Sequence, residues 1–236
     1  IDLHIVGDEE QEAFMVRAWI ESIRSKTGCD YRDFAVLYRR NTQSRPIEIA
    51  LRRANIPYVV YGGQEFFDRA EVRDVIAYLK LLSNPRDEES FLRVVNMPRR
   101  GIGDATLHTI HDICREQRVS LGKAMAEALK YGRIQGASAE GVRSFLGLMQ
   151  EFRNRLRARQ DGLGATARAL IDAIDYRGEL ERTSKSIEQS SFRMENVEAV
   201  LQSIDAYEKD APTPTLRGFL DESTLNTDAD RRAARN

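Results

Sequence analysis

The sequence predicts a partial parallel α/β unit followed by a mostly α-helical domain, and three observations carry that prediction. Short apolar runs, "IDLHIV" (1–6), "FAVLY" (34–38) and "YVVY" (58–61), alternate with stretches of helical spacing. An order of β-α-β-α-β implies a parallel sheet with right-handed crossovers. After Gly62-Gly63 the pattern changes to helix after helix, with no further strand pattern.

The first run opens the sheet, and Asp8 with Gln11 then makes a capping-box-like start for a helix carrying Phe14, Val16, Ala18, Trp19 and Ile23. "FAVLY" is apolar throughout, as a parallel strand covered on both faces should be. Pro46 suits a first helical position, and Ile47, Ala50, Leu51 and Ala54 recur at helical spacing. Asn55-Ile56-Pro57 ends that helix and "YVVY" forms the third strand. Further helices are expected near 70–83, 87–95, 104–117, 120–130, 138–159, 164–174, 193–209 and 214–223. The resulting division is 1–68 for the α/β segment, 69–224 for the helical domain and 225–236, "LNTDADRRAARN", for a flexible tail.

Composition narrows the function. With 31% charged residues, a mean hydropathy of -0.49 and no apolar run of membrane-spanning length, the chain reads as a soluble protein with no membrane partner. The two cysteines, Cys29 and Cys114, form no CxxC or Cys/His cluster, so no zinc site or disulfide framework is expected and a reducing cytoplasm is the default compartment. Charge is unevenly placed: between Tyr31 and Ile56 six arginines face two carboxylates, a local net of +4. The chain begins with isoleucine on a strand pattern, which suggests a fragment or a processed product.

Two stretches carry polyanion chemistry. "RRNTQSR" (39–45) follows the second predicted strand at its carboxyl end, where open α/β sheets hold ligands. Its arginines offer forked donors to phosphate, and Asn41 and Gln43 can bond a base edge or sugar, although the same residues also suit a solvated loop. "NMPRRGIGDATLHTI" (96–110) has the apolar-Pro-x-x-Gly-apolar-Gly shape of a helix-hairpin-helix turn, in which glycine amides hold one backbone phosphate. Asp104 can cap the following helix, Ile102, Leu107 and Ile110 can anchor the turn, and Arg99 and Arg100 add charge. In "YGGQEFFDRAEVRD" (61–74), Phe66 and Phe67 could stack bases but better suit a core.

No catalytic constellation emerges. At Gly122-Lys123 the P-loop pattern fails, since alanine follows and Gln117 stands where glycine is required. "FLDES" (219–223) lacks the apolar strand that precedes a magnesium-binding acid, and His4, His108 and His111 are too scattered for a triad or metal site. No catalytic or metal-binding residue is expected.

These motifs, in this order, resemble the UvrD/Rep/PcrA family of superfamily 1A DNA helicases. "LYRRNTQSR" is similar to the family's Y-R-x-N-x-Q-S-R motif at Tyr38, Arg39, Asn41, Gln43, Ser44 and Arg45. "YGGQEFFDRAEVRD" matches at Gly62, Gly63, Phe66, Phe67, Glu71 and Asp74. "NPRDEESFLRVVNMPRRGIGDATL" matches at Asn84, Asp87, Phe91, Arg93, Asn96, Pro98, Arg100, Gly101, Ile102, Gly103 and Thr106, and "RMENVEAVL" (193–201) is similar to an R-x-E-N-x-x-x-L helix. Met97 departs from a frequent threonine.

The resemblance implies the first part of the second RecA-like motor domain (2A) plus the inserted helical domain (2B). It implies a role in 3′-to-5′ unwinding in repair or replication restart, in a bacterial, nucleoid-associated setting. Single-stranded DNA would lie on Arg39, Asn41, Gln43 and Arg45, and duplex DNA on Arg99, Arg100, Gly101, Ile102, Gly103 and Thr106. ATP and magnesium would serve the complete enzyme and neither would bind this chain, whose other partners would be the remaining motor domains and repair or replication proteins. A helical module that docks a protein partner, without activity, is the competing expectation.

Overall fold

Asp8 starts the first helix as expected: its side chain accepts from the Gln11 amide at 2.8 Å while the Gln11 carboxamide accepts from the Gly7 amide at 3.1 Å. A computed structural model describes residues 3–39, 43–60, 65–159 and 161–222, which divide into two compact units, one made of residues up to Arg69 with those from Asp221, the other of Ala70–Leu220.

The first unit holds α1 (Glu9–Thr27) and α2 (Ser44–Arg53), with single 3₁₀ turns at Tyr31–Asp33 and Phe66–Asp68. Its core is Ile20, Leu51 and Ile56, flanked by Val16, Phe34, Val36, Ile47 and Tyr58. Pro46 falls at the third residue of α2, still within the first turn, where a missing N–H costs no helical bond. Asn55, at a φ of 55°, turns the chain out of the helix.

The predicted sheet is not formed, and the described residues are all-α. Residues 3–6, 34–38 and 58–60 lie in no strand; positions 1, 2 and 61 of the predicted runs lie outside the described residues. The side chains do alternate with the period of a strand, Phe34 and Val36 facing the core while Leu37 is 94% exposed, and Tyr58 packed while Val59 is 60% exposed. A parallel strand, however, is a pairwise property that needs ladder partners and cover on both faces. Neither is supplied here, and Leu3 and Ile5 are likewise 90% and 94% exposed. The RecA-like sheet implied by the resemblance is corrected with it.

The second unit is a helical assembly of α3 (Ala70–Ser83), α4 (Glu88–Val94), α5 (Asp104–Gln117), α6 (Leu121–Lys130), α7 (Gly136–Ala158), α8 (Leu163–Ala173), α9 (Tyr176–Thr183) and α10 (Ile187–Asp210), followed by a helical stretch at 216–220. Central α3 buries Val72, Val75, Tyr78, Leu79 and Leu82 against α4, α7 and α10. The spacing placed α3 and α5 within a residue of their observed ends but gave no sign of α9, which begins at Asp175, a left-handed N-cap whose carboxylate accepts from the Gly178 amide. The expected tail at 225–236 lies outside the described residues.

Candidate nucleic-acid interface

The stretch Val94–Asp104 joins α4 to α5, and its backbone is held from beneath by side chains. The Arg100 guanidinium points inward: Nη1 donates to the carbonyls of Val94, Val95, Met97 and Pro98 at 3.1–3.3 Å, and Nη2 to the Tyr78 hydroxyl at 2.7 Å. That hydroxyl donates in turn to the Met97 carbonyl. Burial pushes the Tyr78 phenol up to about 12, against the lowering charge of Arg100, so it stays a proton donor at neutral pH. Asn96 Oδ1 accepts from the amides of Arg100 and Ile102 at 2.7 and 3.2 Å.

Helix α7 clamps the same segment. Ser138 Oγ donates to the Gly101 carbonyl at 2.8 Å. Gly141 lets α7 approach so closely that a Cβ there would run into the Arg100 carbonyl oxygen. Gly101, with φ at 72°, sits in the region that only glycine adopts without strain. Ile102 is 1% exposed and Thr106 9%, so both anchor the turn from below.

What remains outward is small and defined. Arg99, Gly101, Gly103 and Asp104 are exposed. Gly103, not Asp104, is the N-cap of α5 and brings no side-chain cap; a Cβ on it would meet nothing within 4 Å. The amides of Asp104 and Ala105, the first two of α5, take no side-chain cap, with the positive end of the helix dipole behind them, while the Thr106 amide donates to the Gly103 carbonyl at 3.0 Å. The Asp104 carboxylate opposes an anion at this point and Arg99 favours one. Of the six residues expected to meet a duplex, the structure thus brings Arg99, Gly101 and Gly103 to the surface together and places Arg100, Ile102 and Thr106 under them.

The second stretch lies in the first unit. Arg39 is exposed and its amide donates to Gln43 Oε1 at 3.2 Å; residues 40–42, Asn41 included, lie outside the described residues. Arg45 is half-buried in the first turn of α2. In the same unit Glu48, 2% exposed, accepts from the Phe66 amide at 2.7 Å and the Tyr58 hydroxyl at 3.4 Å. The Arg52 guanidinium lies 3.7 Å from the Phe67 ring centre, and Phe66 meets Phe67 edge-on at 4.9 Å. Phe66 is buried, and Phe67 is half-buried with Arg52 over its ring and Phe66 against it.

Other motif residues hold the helical unit together. Asp74 on α3 pairs with Arg93 at 2.7 Å and accepts from the Tyr176 hydroxyl at 2.7 Å. Glu71, one turn earlier, accepts from Asn196 Nδ2 at 2.7 Å and Arg193 Nε at 3.3 Å. Ser138, Gly141 and Tyr176 were not anticipated: nothing local distinguishes a glycine inside a helix as a contact for a turn some forty residues away. No helix among the described residues is long and apolar enough to cross a membrane.

A family model described as the UvrD-like helicase C-terminal domain matches residues 1–236. The chain is 35% identical over 228 residues to the ATP-dependent DNA helicase PcrA of Bacillus subtilis, covering 95% of this chain and 30% of that protein. It is 34% identical over 223 residues to the ATP-dependent DNA helicase Rep of Escherichia coli (93% and 32%). The figure is 32% over 226 residues for the ATP-dependent DNA helicase UvrD1 of Mycobacterium tuberculosis (95% and 29%). The chain spans about a third of the length of these relatives.

Proposed function

The chain belongs to the UvrD-like helicase C-terminal domain family, and from that premise we propose that it is a DNA-binding portion of an ATP-dependent 3′-to-5′ DNA helicase acting in repair or replication restart. In this reading Ala70–Leu220 corresponds to the inserted helical 2B domain and the preceding residues to part of 2A. Nucleotide hydrolysis belongs to the complete enzyme with ATP and magnesium, since this sequence lacks a phosphate-cradling loop.

One observation carries the proposal: a turn braced by Arg100, Asn96 and α7 presents Arg99 and the uncapped start of α5 outward. A duplex phosphate suits that arrangement, because main-chain amides and one cation recognise a backbone oxygen without reading sequence. Arg100 acts by shaping the turn, as its donors are already engaged by carbonyls. Arg39, Asn41, Gln43 and Arg45 form the proposed single-strand track.

The test is titration of matched hairpin and single-stranded DNA at several salt concentrations. Arg99→Ala should reduce the salt slope for duplex by about 0.9. Gly103→Val, at a position with room for the side chain, should block phosphate approach without unfolding the turn. Single-strand affinity should change far less. An unchanged duplex slope, or equal weakening on both substrates, would leave the turn a purely structural element and favour a protein-docking module.

A further inference from the structure

Helix α7 carries a second basic face that the turn does not use. At 3.6 residues per turn, Arg143, Gln150, Arg153, Asn154 and Arg157 fall within an arc of about 100°. The two carboxylates of α7, Glu140 and Glu151, lie outside that arc. Arg143, Gln150, Asn154 and Arg157 are exposed and Arg153 is half-buried. Arg155, on the opposite flank, is neutralised by Asp161 at 2.9 Å. Among the described residues Arg143, Arg153 and Arg157 form no ion pair, and Arg153 Nε is buried without an acceptor. Burial, and after it the like charge of Arg157, push the Arg153 guanidinium below its ordinary value.

Helix stability does not account for this face. The macrodipole favours cations in the last turn, which covers Arg157 but neither Arg143 nor Arg153. Arg153 and Arg157, four residues apart on one face, repel each other. Such a row of cations and amides, free of carboxylates, complements a chain of phosphates: arginines neutralise them while Gln150 and Asn154 can donate to phosphate or sugar oxygens.

We propose that this face is a second phosphate-backbone contact for the same duplex, an inference that rests on the DNA-binding reading of the turn. From residue 143 to 157 the face runs about 21 Å along the helix, roughly six base pairs of duplex axis. The first turns of α7 hold the Gly101 carbonyl through Ser138, so one helix fixes the spacing between the two contacts.

The experiment uses the whole chain with two hairpins, one with the shortest duplex arm that binds and one about six base pairs longer. Arg143→Gln with Arg157→Gln changes two exposed residues, and a melting curve checks that the fold is retained. On the long arm this variant should lose about 1.8 from the salt slope, so that wild type weakens about twelve-fold more than the variant between 50 and 200 mM salt. On the short arm the two should behave alike. Equal slopes on the long arm, or equal losses on single-stranded DNA, would overturn the inference; if Arg99→Ala still weakens duplex binding in that case, the reading of the turn survives. Failure of wild type to bind either hairpin would overturn both.

Discussion

The two units spend their polar and apolar residues in opposite ways. In Ala70–Leu220 the motif carboxylates are matched: Asp74 meets Arg93 and Tyr176, and Glu71 meets Arg193 and Asn196, all across different helices. Of the large apolar side chains of α3, α7 and α10, Ile187 at the start of α10 is exposed and the others are buried or half-buried. In the first unit, by contrast, one buried carboxylate, Glu48, ties α2 to Phe66 and Tyr58, while Leu3, Ile5, Leu37 and Val59 stand exposed. Helices satisfy their own backbone and close a core with side chains alone. Extended segments depend on neighbours for both backbone bonds and cover. The same density of apolar residues therefore completes one unit and leaves the other open-faced.

That contrast can be broken first at Asp74. Asp74→Ala leaves Arg93 and the Tyr176 hydroxyl without their buried acceptor and should cost about 3–5 kcal/mol. Glu48→Leu, which strands one amide and one hydroxyl, should cost about 1–3 kcal/mol. Hydrogen exchange localises each loss, Asp74→Ala to α3 and α9 and Glu48→Leu to α2. A similar small loss for both would mean that the helical unit does not rely on its polar core.

Neighbouring arginines give the next effect. Arg100→Ala removes the donors that organise Val94–Pro98 and should destabilise the helical unit by about 1.5–3 kcal/mol in urea titration. Arg99→Ala, exposed, should stay within about 0.5 kcal/mol. Equal effects would show that the two side chains are not divided between building and contacting.

The smallest effect sharpens the comparison. Leu37→Ser, at a residue 94% exposed, should change stability by about 0.5 kcal/mol or less. Ile110→Ala, buried on α5, should cost about 2–5 kcal/mol by the same measurement. A comparable loss at Leu37 would mean that something covers that side chain in solution.

Much of the helical unit was legible in the residues because its signals are local. Spacing and turn chemistry gave α3 through α8 and the bounds of the "PRRGIG" turn, and Asp8 with Gln11 gave the start of α1. The start of α9 escaped because Asp175 caps it from a left-handed conformation that no spacing announces. Of the candidate site, residue types and glycine placement were readable, while the direction of each arginine was not: adjacent in sequence, Arg99 and Arg100 offer identical chemistry and face opposite ways.

By itself the sequence determined helix periodicity, the Asp8 cap, the glycine turn and the family motifs, all set within a few residues by backbone sterics and side-chain spacing. Tertiary structure alone decided three things. It left the three apolar runs outside any strand among the described residues, because a strand exists only through its partners. It turned Arg100 inward, because the backbone of Val94–Pro98 folds its carbonyls round the guanidinium and α3 brings the Tyr78 hydroxyl to the same place. It made Gly141 the seat of the turn, because only the packing of α7 brings that backbone against Arg100.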